Sequence, residues 1–163
     1  MKINKLTFMA LSIALAMVLS FVESQIPAFV AIPGIKVGLA NIAVVFVLYK
    51  LGWKEAVVIS LVRVAMVSLL FGSFASLFYS FAGAVLSLTG MVLMKKSGIF
   101  SQLAVSVTGG VLHNVGQIAM ASLLLGTDVI RYYLPFLIVS GTVAGIVVGL
   151  LAAALAKRVD IKL

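Results

Sequence analysis

Apolar stretches separated by charged residues, glycine or proline occupy almost the whole chain. Most approach the roughly 20 residues that an α-helix needs to cross a bilayer. They predict an all-α integral membrane protein whose residues 1–163 form a single six-helix domain, with spans at about 6–22, 37–51, 55–72, 75–94, 101–125 and 131–156. The second span is short, and Pro27, Pro33 and Gly34 disfavour a regular helix before it, so an irregular segment or a re-entrant turn is expected there.

The composition supports a membrane location and narrows the chemistry. Of the 163 residues, 64% are hydrophobic and 10% are charged, whereas soluble domains carry about a quarter charged residues. The chain has no cysteine and one histidine, His113, which excludes disulfides, thiolate metal sites and a bis-histidine haem supplied by this chain alone. We therefore expect no metal and no cofactor.

The basic residues are distributed unevenly between the predicted loops. With the N-terminus in the cytoplasm, only Lys36 and Arg131 lie at outer ends of spans, whereas the inner ends carry Lys2, Lys5, Lys50, Lys54, Lys95, Lys96, Lys157, Arg158 and Lys162. By the positive-inside rule both termini are predicted to be cytoplasmic, in the inner membrane of a bacterium. This topology accounts for most of the net charge of +8, so nucleic acid is not an expected partner. No small-x-small cleavage site follows the first span, so we expect it to be retained as a helix.

Small residues at four-residue spacing mark faces on which membrane helices approach closely. One stripe on the last span contains Gly141, Gly145, Gly149 and Ala153. The first span has two such stripes, Ala10 with Ala14, and Ser12 with Ala16 and Ser20. Each stripe has two interpretations, packing inside the bundle or docking another membrane subunit.

Arg63 lies near the middle of the third span, too far from either end to extend its charge comfortably to water. A charge at this depth is costly and is a functional-site hypothesis by default. Arg63 either binds the anionic group of a ligand or pairs with a structural partner such as Glu23.

The fifth span contains the sequence H-N-V-G-Q at 113–117. His113 and Gln117 are one turn apart on the same helix face, beside Asn114. These side chains either orient a ligand or form hydrogen bonds between helices, and Gly116 allows another backbone to approach.

Further polar residues are predicted at the outer side of the membrane. If their faces converge with Arg63 and His113, they line a pocket that opens outward and favours a polar or anionic ligand. These residues are Glu23 at the end of the first span, Lys36 and Asn41 at the start of the second, and Tyr79 with Ser76 and Ser80 in the fourth. The segment 23–36 would act as a gate.

Several of these residues and motifs are shared with a known family: P-G-I-K-V-G-L-A-N at 33–41 with Glu23 before it, Arg63, F-G at 71–72, A-G-A-V-L-S-L at 82–88, H-N-V-G-Q and Y-Y-L-P at 132–135. Over nearly its full length the chain resembles the heptaprenyl diphosphate synthase component I family, also labelled the Gx transporter family. That family resembles the S components of energy-coupling-factor transporters, which capture a solute outside and associate with a coupling membrane subunit and two ATPases. The resemblance implies an S-component-like bundle, with Ala10 and Ala14 as the positions that match a docking motif on the first helix. It also makes isoprenoid- and flavin-related solutes candidates.

Prenyl transfer by this chain alone is not expected. Prenyl synthases bind diphosphate through magnesium held by clustered aspartates, because magnesium prefers several oxygen ligands. The four acidic residues, Glu23, Glu55, Asp128 and Asp160, form no such cluster, and the chain lacks the motifs of P-loop ATPases, serine hydrolases and zinc proteases. We therefore expect no enzyme and no catalytic residues.

The sequence thus leaves three hypotheses open. The first is a membrane subunit that captures a small polar or anionic organic solute from the outer side, energised by partner subunits. The second is a non-catalytic accessory subunit of a prenyl diphosphate or quinone pathway. The third is a membrane anchor for an extracellular electron-transfer assembly.

Overall fold

A computed structural model describes residues 2–25, 38–126 and 132–159. The described residues form six α-helices: α1 Lys2–Gln25, α2 Asn41–Lys50, α3 Trp53–Phe71, α4 Phe74–Ser97, α5 Gln102–Leu125 and α6 Leu134–Arg158. No strand occurs among these residues. The prediction of an all-helical chain with six helices in this order is confirmed. Lys36 and Asp128, both discussed above, lie outside the described residues.

The helices alternate in direction, which gives the bundle two ends. Glu23 near the end of α1 meets Gly38 just before α2, and Lys5 near the start of α1 meets Glu55 near the start of α3. We call the first the Glu23 end. The opposite end, where Lys95 of α4 donates a hydrogen bond to the carbonyl oxygen of Leu48, we call the Lys95 end.

The centre of the Lys95 half is filled by α2. Seven consecutive residues of this helix, Ile42 to Leu48, are buried, so α2 is apolar on every side as expected of a helix enclosed by others. Its neighbours are α1, α3 and α6. At ten residues α2 is about 15 Å long, half the thickness of a bilayer core.

Among the described residues, three helices are long and apolar enough to cross a membrane. Their candidate spans are Lys5–Glu23, Phe74–Ser97 and Leu134–Arg158. The other three helices are too short or too polar to meet these criteria. The helix α2 is short, α3 carries Lys54, Glu55 and Arg63, and α5 carries three large polar residues between 113 and 117. The composition and the apolar helices indicate a membrane protein, whereas six spans and cytoplasmic termini stay predictions.

Glycines allow α4, α5 and α6 to pack at close range. A Cβ atom built on Gly116 would lie 2.7 Å from the carbonyl oxygen of Ala82 in α4, so the expected close backbone approach at Gly116 is confirmed. On the other side of α5, a Cβ on Gly110 would lie 2.3 Å from the carbonyl oxygen of Gly141. Backbone contact of this kind permits strong packing between helices in lipid.

The stripes of small residues have different surroundings. Gly141, Gly145 and Gly149 are buried against α5, and a Cβ on Gly145 would lie 2.5 Å from the Cα atom of Val107. Their surroundings match packing inside the bundle, and α5 covers the face that a second subunit would need. On α1, Ser12 and Ala16 are buried while Ala10 and Ala14 are exposed.

A polar cleft at the Glu23 end

A polar cleft with a volume of about 100 Å³ opens in the Glu23 half of the bundle. The helical part of α2 begins only at Asn41, so the other helices face one another there across the centre. All six helices or their ends contribute to the lining: Ser20, Glu23, Gly38, Asn41, Arg63, Val64, Val67, Ser68, Phe71, Gly72, Ser76, Ser80, Gly110, His113, Asn114, Gln117, Gly141 and Ala144. Serine, amide and charged side chains make up half of these residues.

Arg63 lines the cleft from the inward face of α3. Its side chain is only 8% exposed, and it shares this face with the buried Ile59, Ser60 and Ser68. The opposite face of α3 exposes apolar side chains such as Val62. This distribution suits a membrane helix, in which a charged residue faces the interior of the bundle or a water-filled cavity.

The guanidinium of Arg63 has no direct partner in the part of the chain that the structure describes. The acidic group that acts on it electrostatically is Glu23, but the two residues do not form an ion pair in contact. Glu23 instead accepts a hydrogen bond from the backbone N–H of Gly38, at 2.5 Å between nitrogen and Oε1. The Arg63 donors therefore face a cavity beside, but not touching, a carboxylate.

The H-N-V-G-Q residues of α5 line the cleft from the opposite side, in two different states. Asn114 is 7% exposed, and its Nδ2 donates to the Leu137 carbonyl oxygen at 2.8 Å and to Ser140 Oγ at 3.3 Å. Its amide thus connects α5 to α6. His113 and Gln117 are half-buried one turn apart, and both border Gly83 of α4, on which a Cβ would lie 2.8 Å from the His113 carbonyl oxygen.

The structure brings six of the eight predicted ligand-binding residues to one cleft: Glu23, Asn41, Arg63, His113, Asn114 and Gln117. Lys36 lies outside the described residues. Tyr79 is half-buried on α4 but does not line the cleft, whereas Ser76 and Ser80 do. The α4 face that meets the cavity is therefore rotated away from Tyr79.

Some lining residues were not predicted from the sequence. Val67 lies one turn beyond Arg63 on the same helix face, so helical spacing from the buried charge identifies it, whereas the five-residue spacing of Ser68 does not. Ser20 was assigned only to a packing stripe, although it lies less than one turn from Glu23. Gly110 and Ala144 have no polar side chain, so no chemical signal in the sequence marks them.

The cleft has the chemistry of a binding site for a small polar group. It offers a charged fork of donors from Arg63, amide groups that donate and accept, and several hydroxyl groups. Across the described ranges, no three His, Asp or Glu side chains lie together as a metal site would require.

These features define a helical membrane protein with a buried arginine in a polar cleft. The chain matches the family model described as heptaprenyl diphosphate synthase component I over residues 12–155, so it belongs to that family, and the resemblance noted from the motifs is confirmed. No curated protein and no solved structure matches the chain. The family name and the apolar helices fit a membrane component of a heptaprenyl diphosphate synthase system, whereas the S-component resemblance stays a prediction.

Proposed function

We propose that this chain is a membrane subunit that captures a small polar or anionic organic solute from the outer side, in the cleft at the Glu23 end. The observation that carries the proposal is Arg63, a buried guanidinium that lines a cavity without a direct partner among the described residues. Leaving such a group unsatisfied is costly, so an anion or carboxylate that binds it gains a strong, charge-assisted interaction.

The charge and size of the cleft support a ligand of modest negative charge. Arg63 and Glu23 are the charged side chains among the described lining residues, one of each sign. A diphosphate carries at least two charges and is usually bound with magnesium and several carboxylates. The volume of about 100 Å³ suits a single polar group or a small molecule. His113 and Gln117 orient this ligand, and Asn41 lies at the floor.

Energy for transport would come from partner subunits, because the chain contains no nucleotide-binding motif. Ala10 and Ala14 support a docking role for α1, since both are exposed on a face without large polar side chains. We propose that this face meets a second membrane protein, such as a coupling subunit associated with ATPases.

The decisive experiment replaces Arg63 with methionine, which keeps much of the side-chain length and removes the charge. Small molecules released from the gently purified protein are compared by mass spectrometry with those from the unchanged chain. We expect the Arg63→Met variant to insert and fold but to bind the polar solute about 10- to 100-fold more weakly, because hydrogen bonds to a charged group contribute about 1.5 to 3 kcal/mol.

The matched control is Arg158→Met, which removes the same charge from the exposed end of α6. It should retain the solute at the level of the unchanged chain. If Arg63→Met keeps the solute but unfolds more easily, Arg63 is structural and the capture proposal is wrong. If both variants lose it, the effect is one of overall charge.

The family name supports a second candidate function, a non-catalytic accessory subunit that holds a prenyl diphosphate or a partner enzyme. In that case the purified chain would retain a prenyl lipid or a second synthase component instead of a polar solute. Thermal stabilisation by a prenyl diphosphate, compared with inorganic diphosphate, separates the two. An effect of the prenyl compound alone would favour the accessory subunit over solute capture.

A further inference from the structure

A second, smaller cavity lies directly beneath the cleft, toward the Lys95 end. Its volume is about 20 Å³. The lining residues come from α2, α4, α5 and α6: Asn41, Val45, Ser87, Met91, Ser106, Gly109, Gly110, Ala144, Gly145 and Val148. Asn41, Gly110 and Ala144 line both cavities, so the two spaces are adjacent, with these residues between them.

The order of lining residues along each helix shows that this cavity is deeper. On α4 the cleft is lined by Ser76 and Ser80, and the small cavity by Ser87, about two turns from Ser80 toward the Lys95 end. On α5, which runs in the opposite direction, the cleft reaches Gln117 and the small cavity reaches Ser106. Every contributing helix shows the same shift, so the small cavity lies deeper in the bundle than the cleft.

Buried serine hydroxyl groups border the small cavity. Ser106 Oγ donates to the Gly145 carbonyl oxygen at 2.8 Å, and its lone pairs remain available. Ser87 is only 5% exposed and lines the cavity from α4. A buried hydroxyl group gains free energy from a hydrogen-bonding partner, so a molecule with donors and acceptors is expected in the cavity beside Ser87 and Ser106.

We propose that this cavity binds one water molecule, held by Ser87, Ser106 and Asn41 and reached from the cleft. A site needs about 10 to 15 Å³ and two to four polar partners to hold a water, and both conditions are met. A cation is disfavoured because the lining contains no carboxylate and the cleft above holds Arg63.

The small cavity borders the apolar core, so a path for water from the cleft would end there. Val45, Met91 and Val148 line the cavity and also belong to the apolar core of the Lys95 half. Water that reaches Ser87 from the Glu23 end is stopped at this apolar layer. The chain thus encloses a polar path that penetrates to the core and is closed on the far side.

The absence of cysteine makes a direct test possible, because each introduced thiol is the only one in the chain. Single variants Ser80→Cys in the cleft, Ser87→Cys in the small cavity and Ala84→Cys are exposed to silver ion, which is small enough to follow a water path. Ala84 is the matched control, since it lies on α4, is 2% exposed and lines neither cavity. Thiols that silver has blocked no longer react with a maleimide dye after unfolding.

We expect Ser80→Cys to be blocked fastest, and Ser87→Cys to be blocked at least about tenfold faster than Ala84→Cys, whose thiol is reached only by local opening. Equal rates for Ser87→Cys and Ala84→Cys would overturn the proposal. If Ser87→Cys does not fold, Ser106→Cys takes its place with the same expectation. The test needs no solute, so it can succeed or fail whatever Arg63→Met shows.

Discussion

The two halves of the bundle use the same helices but have different centres. In the Lys95 half the apolar helix α2 fills the middle, and Leu48, Ile59 and Val105 are fully buried around it. In the Glu23 half a cleft lined by serine, amide and charged side chains occupies the same position. Apolar side chains gain little free energy when they leave lipid for one another. Tight packing therefore stabilises the Lys95 half, and polar contacts determine the shape of the Glu23 half.

The difference between the halves predicts where stability resides, and the largest effect is expected at Leu48. Leu48→Ala should lower the free energy of unfolding by about 2 to 5 kcal/mol, because it leaves a cavity in a close-packed core. The same substitution at Leu69, 68% exposed near the end of α3, should change it by less than about 0.5 kcal/mol. Unfolding in detergent solution measures both values, and equal losses would mean that Leu48 does not lie in a close-packed core.

A smaller effect is expected from the glycine contacts beside the cleft. Gly110→Ala places a methyl group 2.3 Å from the backbone carbonyl oxygen of Gly141, so α5 and α6 must move apart at a cost of about 1 to 3 kcal/mol. Gly90→Ala is the matched control. Its Cβ would lie 2.1 Å from Leu112 Cδ1, the end of a flexible side chain that can rotate away.

The same unfolding measurement ranks the two glycine variants. Gly110→Ala should be the more destabilised, and it should also lose the bound solute because Gly110 lines the cleft. A larger loss of unfolding free energy in Gly90→Ala would mean that the contact between α4 and α5 is more rigid than the contact between α5 and α6.

Much of the bundle could be predicted from the sequence, because hydrophobic stretches and their breaks report the positions of helices along the chain. The predicted spans and the observed helices agree to within a few residues at most ends. The second span was predicted to start at about 37, whereas α2 begins at Asn41. Gly38 has a φ of 74°, a left-handed conformation that a regular α-helix does not contain, so α2 cannot extend back through this residue.

The rotation of each helix about its axis was harder to predict, and Tyr79 illustrates the reason. Hydropathy reports depth, but α4 is apolar on most of its surface, so it does not distinguish the face of Tyr79 from that of Ser76 and Ser80. The inward orientation of Arg63 follows from its charge, because a charged residue at membrane depth faces the interior of the bundle. The stripe at Gly141 allowed two interpretations, since close packing requires small residues whether the partner is α5 or another protein.

The smallest predicted effect distinguishes cleft residues that stabilise the fold from those that are available to bind a ligand. Asn114 donates to the Leu137 carbonyl oxygen and to Ser140 Oγ, so Asn114→Ala should cost about 0.5 to 1.5 kcal/mol of unfolding free energy. A double-mutant cycle with Ser140→Ala isolates the longer bond, whose coupling should be near the roughly 0.6 kcal/mol typical of hydrogen bonds between membrane helices.

Arg63→Met is expected to show the opposite pattern, with the solute lost and stability nearly unchanged, because its guanidinium has no direct partner in the described part of the chain. Asn114→Ala should instead lose stability and retain most of the solute. If Asn114→Ala released the solute without changing the free energy of unfolding, the Asn114 amide would contact the ligand. Its hydrogen bonds to α6 would then serve to position it. The polar half of the bundle would then be organised around its ligand, whereas the apolar half is organised around α2.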